Sequence, residues 1–276
     1  KQDLEAMTIL ANQLDTDHGN TARHRISVAL RLANYNEVAN HYKESSRYSQ
    51  LAVKLANSTE DINAEAQACV QWGISLRLSG ELHKAQLQFE KALHLADHID
   101  AQDIRAECFH NLGIIHEHKA DFQLAQYYYQ QFMDFAIEHN DRSSVARALR
   151  HLGVNAYQTG DYHDAAKHLK YALNKYKHMG DRFGENNTLV DLSKVCLVNG
   201  DYAASRQYSQ QVLKLSQTIR DFEGTGSAFS RLAAISFCLS DYTAALEYSR
   251  RSSQVFTEIG NQIGELDISP VLPRSL

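Results

Sequence analysis

The feature of this sequence that most constrains its fold is a repeat of 40 residues. Steps of 40 from Tyr162 reach another aromatic residue or a leucine each time: Tyr42, Leu82, Phe122, Tyr202 and Tyr242. A second set at the same spacing contains only very small residues: Ala33, Gly73, Gly113, Gly153, Ser193 and Ala233. Self-similarity at a period of 20 to 50 residues is typical of arrays in which each structural unit stacks on its neighbours. We therefore predict one elongated array of repeated units rather than a domain with a single central core.

Each repeat is predicted to contain two helices, A and B, joined by a short turn. Helix A is predicted at about 21–39, 62–79, 102–119, 142–158, 182–198 and 222–239, and helix B at about 42–57, 82–97, 122–138, 162–178, 202–218 and 242–258. In the turn Thr159-Gly160-Asp161, the glycine can follow the C-terminus of helix A and the aspartate can cap helix B. Both prolines, Pro270 and Pro273, follow the last predicted helix, so none interrupts the array.

The small residues predict where helix A approaches helix B. A glycine at position 153 removes side-chain bulk from helix A. On helix B, a further set of small residues permits the same contact: Ala85, Ala125, Ala165, Ser205 and Ala245. The seam beside them is predicted to be filled by one large residue from each of five repeats: Trp72, Leu112, Leu152, Leu192 and Leu232.

The predicted array extends over residues 1–268 as a single domain. It comprises a half-repeat at 1–20 and repeats at about 21–60, 61–100, 101–140, 141–180, 181–220 and 221–260, and residues 269–276 are predicted to form an extended tail. Residues 1–15 have the apolar spacing of a second helix whose first helix is missing. This spacing predicts that the chain is a fragment of a longer protein.

The composition restricts the classes of partner. A net charge of −5, from 28 basic and 33 acidic residues, provides no general attraction for nucleic acid or an acidic membrane. No apolar run approaches the roughly 20 residues that span a bilayer. The four cysteines, Cys69, Cys108, Cys196 and Cys238, have neither a CxxC nor a zinc-site spacing. We predict that they are reduced and mostly buried, and that the protein is cytoplasmic.

The repeats resemble the tetratricopeptide repeat (TPR). The fourth repeat carries the matching residues Leu149, Leu152-Gly153, Tyr162, Ala165, Leu169 and Ala172, and the third carries Phe109, Leu112-Gly113, Phe122, Ala125 and Tyr129. Two features depart from the pattern, since the period is 40 rather than about 34 and the usual proline at the end of helix B is absent. This longer form is similar to Pins-type scaffolds and to the TPR tails of bacterial signal-transduction ATPases and transcription regulators. The resemblance implies an all-α, right-handed superhelical solenoid of about six antiparallel helix pairs.

The resemblance also implies a concave groove lined by helix A, where a ligand would bind. The residues of this sequence at groove positions are the candidate site: His110, Asn111, Glu117, Arg147, Arg150, His151, Tyr157, Gln158, Asn187, Asp191, Lys194 and Arg231. Arg147 and Arg150 lie three apart on one helical face and could hold a carboxylate or phosphate together. The alternative is that these arginines pair with Glu107 or Asp191 on neighbouring helices as a solvated charge network.

Other chemistry is weakly indicated. The run His116-Glu117-His118 places successive side chains about 100° apart on a helix, so one metal ion is not easily shared, and the HExxH spacing is absent. No nucleophile and base stand at a recognisable spacing. We therefore predict no metal, no cofactor and no enzymatic activity.

The predicted function is that of a scaffold or adaptor, which binds a protein or peptide segment in the concave groove. The alternative is a sensor domain of a larger signalling or transcription-regulating protein, triggered by a small molecule or by a protein. Its partners would then include other domains of the same longer polypeptide. Neither a nucleic acid nor a membrane is predicted as a partner.

Overall fold

The structure is a computed structural model in which residues 22–260 are described. All regular structure in this range is helical. The first three repeats contain α1 (Ala22–Val38), α2 (Tyr42–Ser58), α3 (Ile62–Leu78), α4 (Leu82–His98), α5 (Gln102–His118) and α6 (Phe122–Glu138). The last three contain α7 (Arg142–Gln158), α8 (Tyr162–Met179), α9 (Arg182–Val198), α10 (Tyr202–Ile219), α11 (Phe222–Cys238) and α12 (Tyr242–Glu258). None of these twelve helices is long and apolar enough to cross a bilayer.

The helical repeat predicted from the sequence is confirmed. Each described helix begins and ends within one residue of its predicted bounds. The predicted half-repeat at 1–20 and the predicted tail at 269–276 lie outside the described residues. The chain divides into two compact units between Phe135 and Ala136. We call residues 22–135 unit 1 and residues 136–260 unit 2, and describe each by itself.

The turns repeat at an interval of 20 residues. Each contains one residue with a positive φ: Asn40, Glu60, Gly80, Asp100, Ala120, Asn140, Gly160, Gly180, Gly200, Arg220, Ser240 and Gly260. In the eleven turns that join described helices, the residue after it precedes the next helix, and an aspartate there caps that helix. The Asp161 carboxylate, for example, accepts a hydrogen bond of 3.0 Å from the backbone N–H of Asp164. The predicted glycine-aspartate turns are therefore one form of a turn that also accepts other residues.

The small residues of helix A face helix B of the same repeat, as predicted. In three repeats, an added Cβ would lie within 3 Å of a large, fully buried side chain: at Gly73 (2.8 Å from Phe89), Gly113 (2.5 Å from Tyr129) and Gly153 (2.7 Å from Leu169). Such distances are shorter than real Cβ contacts. Glycine is therefore required at these positions by the size of the facing side chain.

The first, fifth and sixth repeats pack differently at the equivalent positions. Helix A carries Ala33, Ser193 and Ala233, and helix B carries buried serines, Ser49, Ser209 and Ser249. In each of these repeats, another serine hydroxyl of helix B donates to the backbone of helix A, and in the sixth repeat this is Ser252 Oγ, 2.9 Å from the Gly226 carbonyl oxygen. Ser45 Oγ lies 2.8 Å from the Ala33 carbonyl oxygen, and Ser205 Oγ lies 2.7 Å from that of Ser193. Hydrogen bonds thus replace part of the apolar contact.

The large seam residues have the predicted positions. Four of them are buried, namely Leu112, Leu152, Leu192 and Leu232. Trp72 is half-buried, and its indole N–H donates to Ser46 Oγ at 2.9 Å. Burying one such side chain contributes on the order of 2 kcal/mol.

The four cysteines are all free, but they differ in burial. Cys69 and Cys108 are buried, and burial raises the pKa of Cys69 to about 11. Cys196 is only partly buried and Cys238 is exposed. The prediction of mostly buried cysteines therefore holds for Cys69 and Cys108 but not for Cys238, the last residue of α11, which is exposed.

Candidate functional site

Two predicted site residues of unit 1 stabilise the seam between α5 and α6. His110 is only 8% exposed, and its ring lies 5.0 Å from that of Phe132. The Glu117 carboxylate accepts a hydrogen bond of 2.6 Å from the Tyr129 hydroxyl. Both residues were expected to line the groove, whereas the structure shows side chains held by helix B of their own repeat.

Asn111, the third predicted site residue of unit 1, connects two neighbouring helices A. Its amide nitrogen donates to the Glu107 backbone at 2.8 Å, and its amide oxygen accepts from Arg77 Nε at 3.1 Å. Burial lowers the pKa of Arg77, although the Glu37 and Glu107 carboxylates oppose this shift. Asn111 is therefore a buried connector and not an open amide for a peptide backbone.

In unit 2, the structure brings Arg150 and Asp191 together across α7 and α9. Arg150 Nε donates to the Asp191 carboxylate at 2.8 Å, and these side chains are 27% and 12% exposed. Arg147 donates to Ser144 Oγ at 3.2 Å on its own helix. The alternative in which Arg150 pairs with Asp191 is thus the arrangement observed. This pairing neutralises much of the charge expected of an arginine fork.

Four predicted residues of unit 2 line one small cleft beside this ion pair, namely Tyr157, Gln158, Asp191 and Lys194. Its remaining lining is apolar and comes from Val154, Leu169 and Val195. The cleft has a volume of about 60 Å³, while ligand pockets for small molecules generally need some 300 Å³ or more. It can accept the end of one side chain but cannot enclose a metabolite.

The other predicted residues of unit 2 lie outside this cleft. His151 is half-buried on α7, and Asn187 is exposed one turn before Asp191 on α9. Arg231 is half-buried on α11. The structure therefore concentrates the predicted site of unit 2 on α7 and α9.

A much larger cleft in unit 1 was missed by the sequence analysis. It lies between α1 and α3 and has a volume of about 900 Å³. Its lining includes charged, amide and aromatic side chains: Arg23, Arg31, Asn34, Tyr35, Asp61, Gln67 and Gln71. Leu30 and Val38 add apolar surface, and Val38 is 79% exposed. Both helices that form this cleft are helices A.

Charge is distributed unevenly along the unit 1 cleft. Arg23 lies 3.5 Å from the Asp61 carboxylate, and the Gln71 amide donates to the Glu37 carboxylate. Arg31 is exposed, and no described carboxylate lies within ion-pair distance of it. Among the described residues that line it, the cleft therefore presents one positive charge, that of Arg31, without an ion-pair partner.

The repeat itself contains the signal that identifies this cleft. Steps of 40 backward from Gln158 reach Val38, and the same steps from His151 reach Arg31 and Gln71. The candidate positions were assigned only from the third repeat onward. Extending them to the first two repeats would have selected most of the lining residues.

Within residues 22–260, no group of three or more His, Cys, Asp and Glu side chains could hold an ion together. His116 instead stacks on Tyr128, with ring centroids 5.4 Å apart.

Comparison of the sequence with protein-family models and with curated proteins gives no match. Comparison of the structure with solved structures does give matches. One is the signal transduction ATPase with numerous domains (STAND) from Pyrococcus horikoshii, which has a tetratricopeptide-repeat sensor. The TM-score is 0.75 at 13% identity, over 96% of this chain and 42% of that protein. The chain thus spans less than half of the length of that protein.

Two further matches cover most of both chains. A Rap protein complexed with Competence and Sporulation Factor has a TM-score of 0.69 at 12% identity, over 95% of this chain and 79% of that one. BtubC from P. vanneervenii has a TM-score of 0.64 at 15% identity, over 87% and 93%. At these identities the likeness concerns the fold. The chain has the fold of tetratricopeptide-repeat proteins.

Proposed function

We propose that this chain is a protein-interaction module that binds a peptide segment of a partner on its helix A surface. The observation that carries the proposal is the 900 Å³ cleft between α1 and α3. Its volume lies in the range of ligand-binding clefts, and its lining mixes a few polar groups with apolar surface. It is also formed by the helices that line the groove in the repeat family that the sequence resembles.

The lining suggests what the peptide segment contains. The amides of Asn34, Gln67 and Gln71 can exchange hydrogen bonds with an extended peptide backbone. Arg31 favours an acidic side chain or a C-terminal carboxylate. Leu30 and Val38 favour an apolar side chain as an anchor.

The helix A surface of unit 2 is proposed as an additional contact region. The small cleft at Tyr157, Gln158 and Lys194 has room for one side chain of a partner. The Arg150–Asp191 pair beside it would orient polar groups rather than capture a free anion. Unit 2 would thus offer a contact region of its own.

The test is selection from a random-peptide display library on the immobilised chain. Wild-type protein should enrich peptides with an acidic residue near an apolar one. Arg31→Glu should weaken binding of the enriched peptides about ten-fold, because reversing one recognition charge costs roughly 1–2 kcal/mol of binding free energy. The matched control is Arg47→Glu on α2, a charge reversal at a 77% exposed side chain outside the cleft. Equal binding by wild type and Arg31→Glu would contradict the proposal.

The second candidate is a sensor domain within a larger regulator. The comparisons favour it, because the STAND protein is described as having a tetratricopeptide-repeat sensor and the Rap protein is complexed with a factor. In this case the same unit 1 cleft would bind the trigger. The discriminating observation is the full reading frame that encodes this chain. A nucleotide-binding or effector domain in that frame supports the sensor, and its absence would exclude it.

A further inference from the structure

We propose that α8 carries a second interaction surface, which binds an acidic segment of a partner protein. Six side chains on one face of this helix form the surface, which we call the lysine stripe: His163, Lys167, Lys170, Tyr171, Asn174 and Lys175. Their spacing of three or four residues places them in one row. Because α8 is a helix B, the lysine stripe is separate from the helix A surface of the proposed function.

The lysine stripe lies largely exposed on the surface of α8. All six side chains are exposed except Lys175, which is half-buried. Within residues 22–260, no carboxylate forms an ion pair with Lys167, Lys170 or Lys175. Like charges three or four residues apart on a helix repel one another. The chain as a whole has a net charge of −5. The lysines of α8 form a local region of positive charge, which an acidic partner would neutralise.

Lys175 shows that packing does not require this charge. The other five repeats carry an apolar residue at the equivalent position: Leu55, Leu95, Phe135, Leu215 and Val255. A half-buried position in a helical repeat favours such a side chain. The fold therefore does not explain the lysine in the fourth repeat. A binding surface for an acidic partner, shared with the neighbouring Lys167 and Lys170, does explain it.

The dimensions and chemistry fit a short acidic peptide. From residue 163 to residue 175 the helix rises about 18 Å, which five or six residues of extended chain would span. Each lysine is a compact point charge that can meet one carboxylate. Tyr171, which is 58% exposed at the centre, offers a ring for an apolar side chain.

A nucleic acid fits less well than an acidic peptide. The lysine stripe offers one phenol ring, Tyr171, and one imidazole, His163, separated along the helix, whereas proteins that bind single strands use several rings on which successive bases stack. The net negative charge of the chain would also repel a long phosphate backbone.

The probe for the test is a fluorescein-labelled peptide of sequence Glu-Glu-Leu-Glu-Glu-Leu-Glu-Glu, titrated by fluorescence anisotropy at low ionic strength. The triple variant Lys167→Glu, Lys170→Glu, Lys175→Glu loses three charge pairs with the peptide, each worth roughly 0.5–1 kcal/mol. Its Kd should therefore rise at least ten-fold. The matched control is Lys43→Glu, Arg47→Glu, Lys54→Glu on α2, a helix B with the same change in net charge. The control should change Kd less than about three-fold.

A second variant separates binding from folding. Lys175→Leu restores the apolar residue of the other repeats, so its thermal unfolding should match or exceed that of wild type while Kd rises about three-fold. An equal rise in Kd for the α2 control and the α8 variant would overturn the proposal, because the effect would then reflect net charge alone. Binding of duplex DNA or phosphatidylserine vesicles that requires the same lysines, without peptide binding, would overturn it as well. Because the probe also matches the peptides expected at the unit 1 cleft, the titrations are repeated in an Arg31→Glu background. Binding there that still requires the three lysines supports this proposal whether or not the proposed function holds.

Discussion

Repeats two to four and repeats one, five and six fill the same helix A to helix B seam in different ways. In the first group, a glycine on helix A faces a large side chain on helix B, as with Gly73 and Phe89. In the second group, alanine or serine on helix A is matched by a buried serine on helix B, as with Ser193 and Ser209. Neither group combines a bulky residue with another bulky residue.

The difference shows that the two positions depend on each other: a large residue on helix B occurs with glycine on helix A, whereas a serine on helix B occurs with alanine or serine. Interiors are packed closely enough that one added methyl group is felt. Only a glycine leaves room for Phe89, Tyr129 or Leu169. Where helix B carries a serine, helix A regains a Cβ, and hydroxyls add hydrogen bonds such as that from Ser205 to the Ser193 carbonyl. The comparison can be tested by exchanging residues between the groups.

The largest effect is expected when a large residue of the first group is replaced by the serine of the second. Phe89→Ser should lower the free energy of unfolding by about 3–5 kcal/mol, because it opens a cavity against Gly73 and buries a hydroxyl. Urea unfolding followed by circular dichroism measures the loss. Ser49→Ala at the equivalent position is the control and should change stability by less than about 1 kcal/mol. A Phe89→Ser loss below that of the control would mean that the seam is not packed as described.

The next effect concerns the glycine itself. Gly113→Ala should cost about 1–3 kcal/mol, because the new Cβ would lie 2.5 Å from the Tyr129 ring. In a Tyr129→Ser background, the same substitution should become neutral or stabilising by up to about 1 kcal/mol, since alanine favours helix over glycine. The double-mutant cycle isolates the coupling between the two positions. Additive effects would show that their volumes are independent.

A smaller effect is expected for the hydroxyls of the second group. Ser205→Ala removes the 2.7 Å hydrogen bond to the Ser193 carbonyl and should cost about 1 kcal/mol. Ser249 is the matched control, because its buried hydroxyl has no hydrogen-bond partner among the described residues. Ser249→Ala should therefore cause no loss, and thermal unfolding of both variants checks the difference. Equal losses would assign the effect to volume instead of hydrogen bonding.

The smallest effect concerns turns, which do not differ between the two groups. Ala120 has φ of 58°, a conformation in which an L residue other than glycine is strained. Ala120→Gly should stabilise the protein by about 0.5 kcal/mol. The substitution relieves the strain of the left-handed conformation, and this gain exceeds the cost of the extra chain entropy of glycine. Gly160→Ala, at φ of 85°, should destabilise by a similar or larger amount. A destabilised Ala120→Gly variant would show that the turn tolerates alanine without strain.

Much of the fold could be predicted because the period is strict. Residues such as Gly153 and Tyr162 recur in register, and a short turn leaves helix A and helix B little choice of partner. The split into two seam types was also present in the sequence, at positions such as Phe89 and Ser209. It went unnoticed because the residues compared along helix B were the small set that includes Ala165, and not the positions, such as Phe89 and Ser209, that face the small residues of helix A.

The candidate site was less predictable, because side-chain pairing depends on distances that periodicity does not fix. Arg150 was a candidate for an anion site, and the structure pairs it with Asp191. His110 has a groove register, yet its ring turns toward Phe132. The unit 1 cleft depends on how far apart α1 and α3 stand, a distance that sequence spacing does not encode. The 40-residue register does place Arg31 and Gln71 at groove positions, and this much is contained in the sequence.

The single left-handed residue in each turn restricts how this chain can change in length. A connection of three residues between helices, such as Thr159-Gly160-Asp161, is too short to absorb an added residue. One inserted residue that extended the following helix backward would rotate its faces by about 100° and carry the seam residues toward solvent. Insertions and deletions are therefore tolerable chiefly as whole repeats, so that lineages of such a protein would vary in steps of 40 residues.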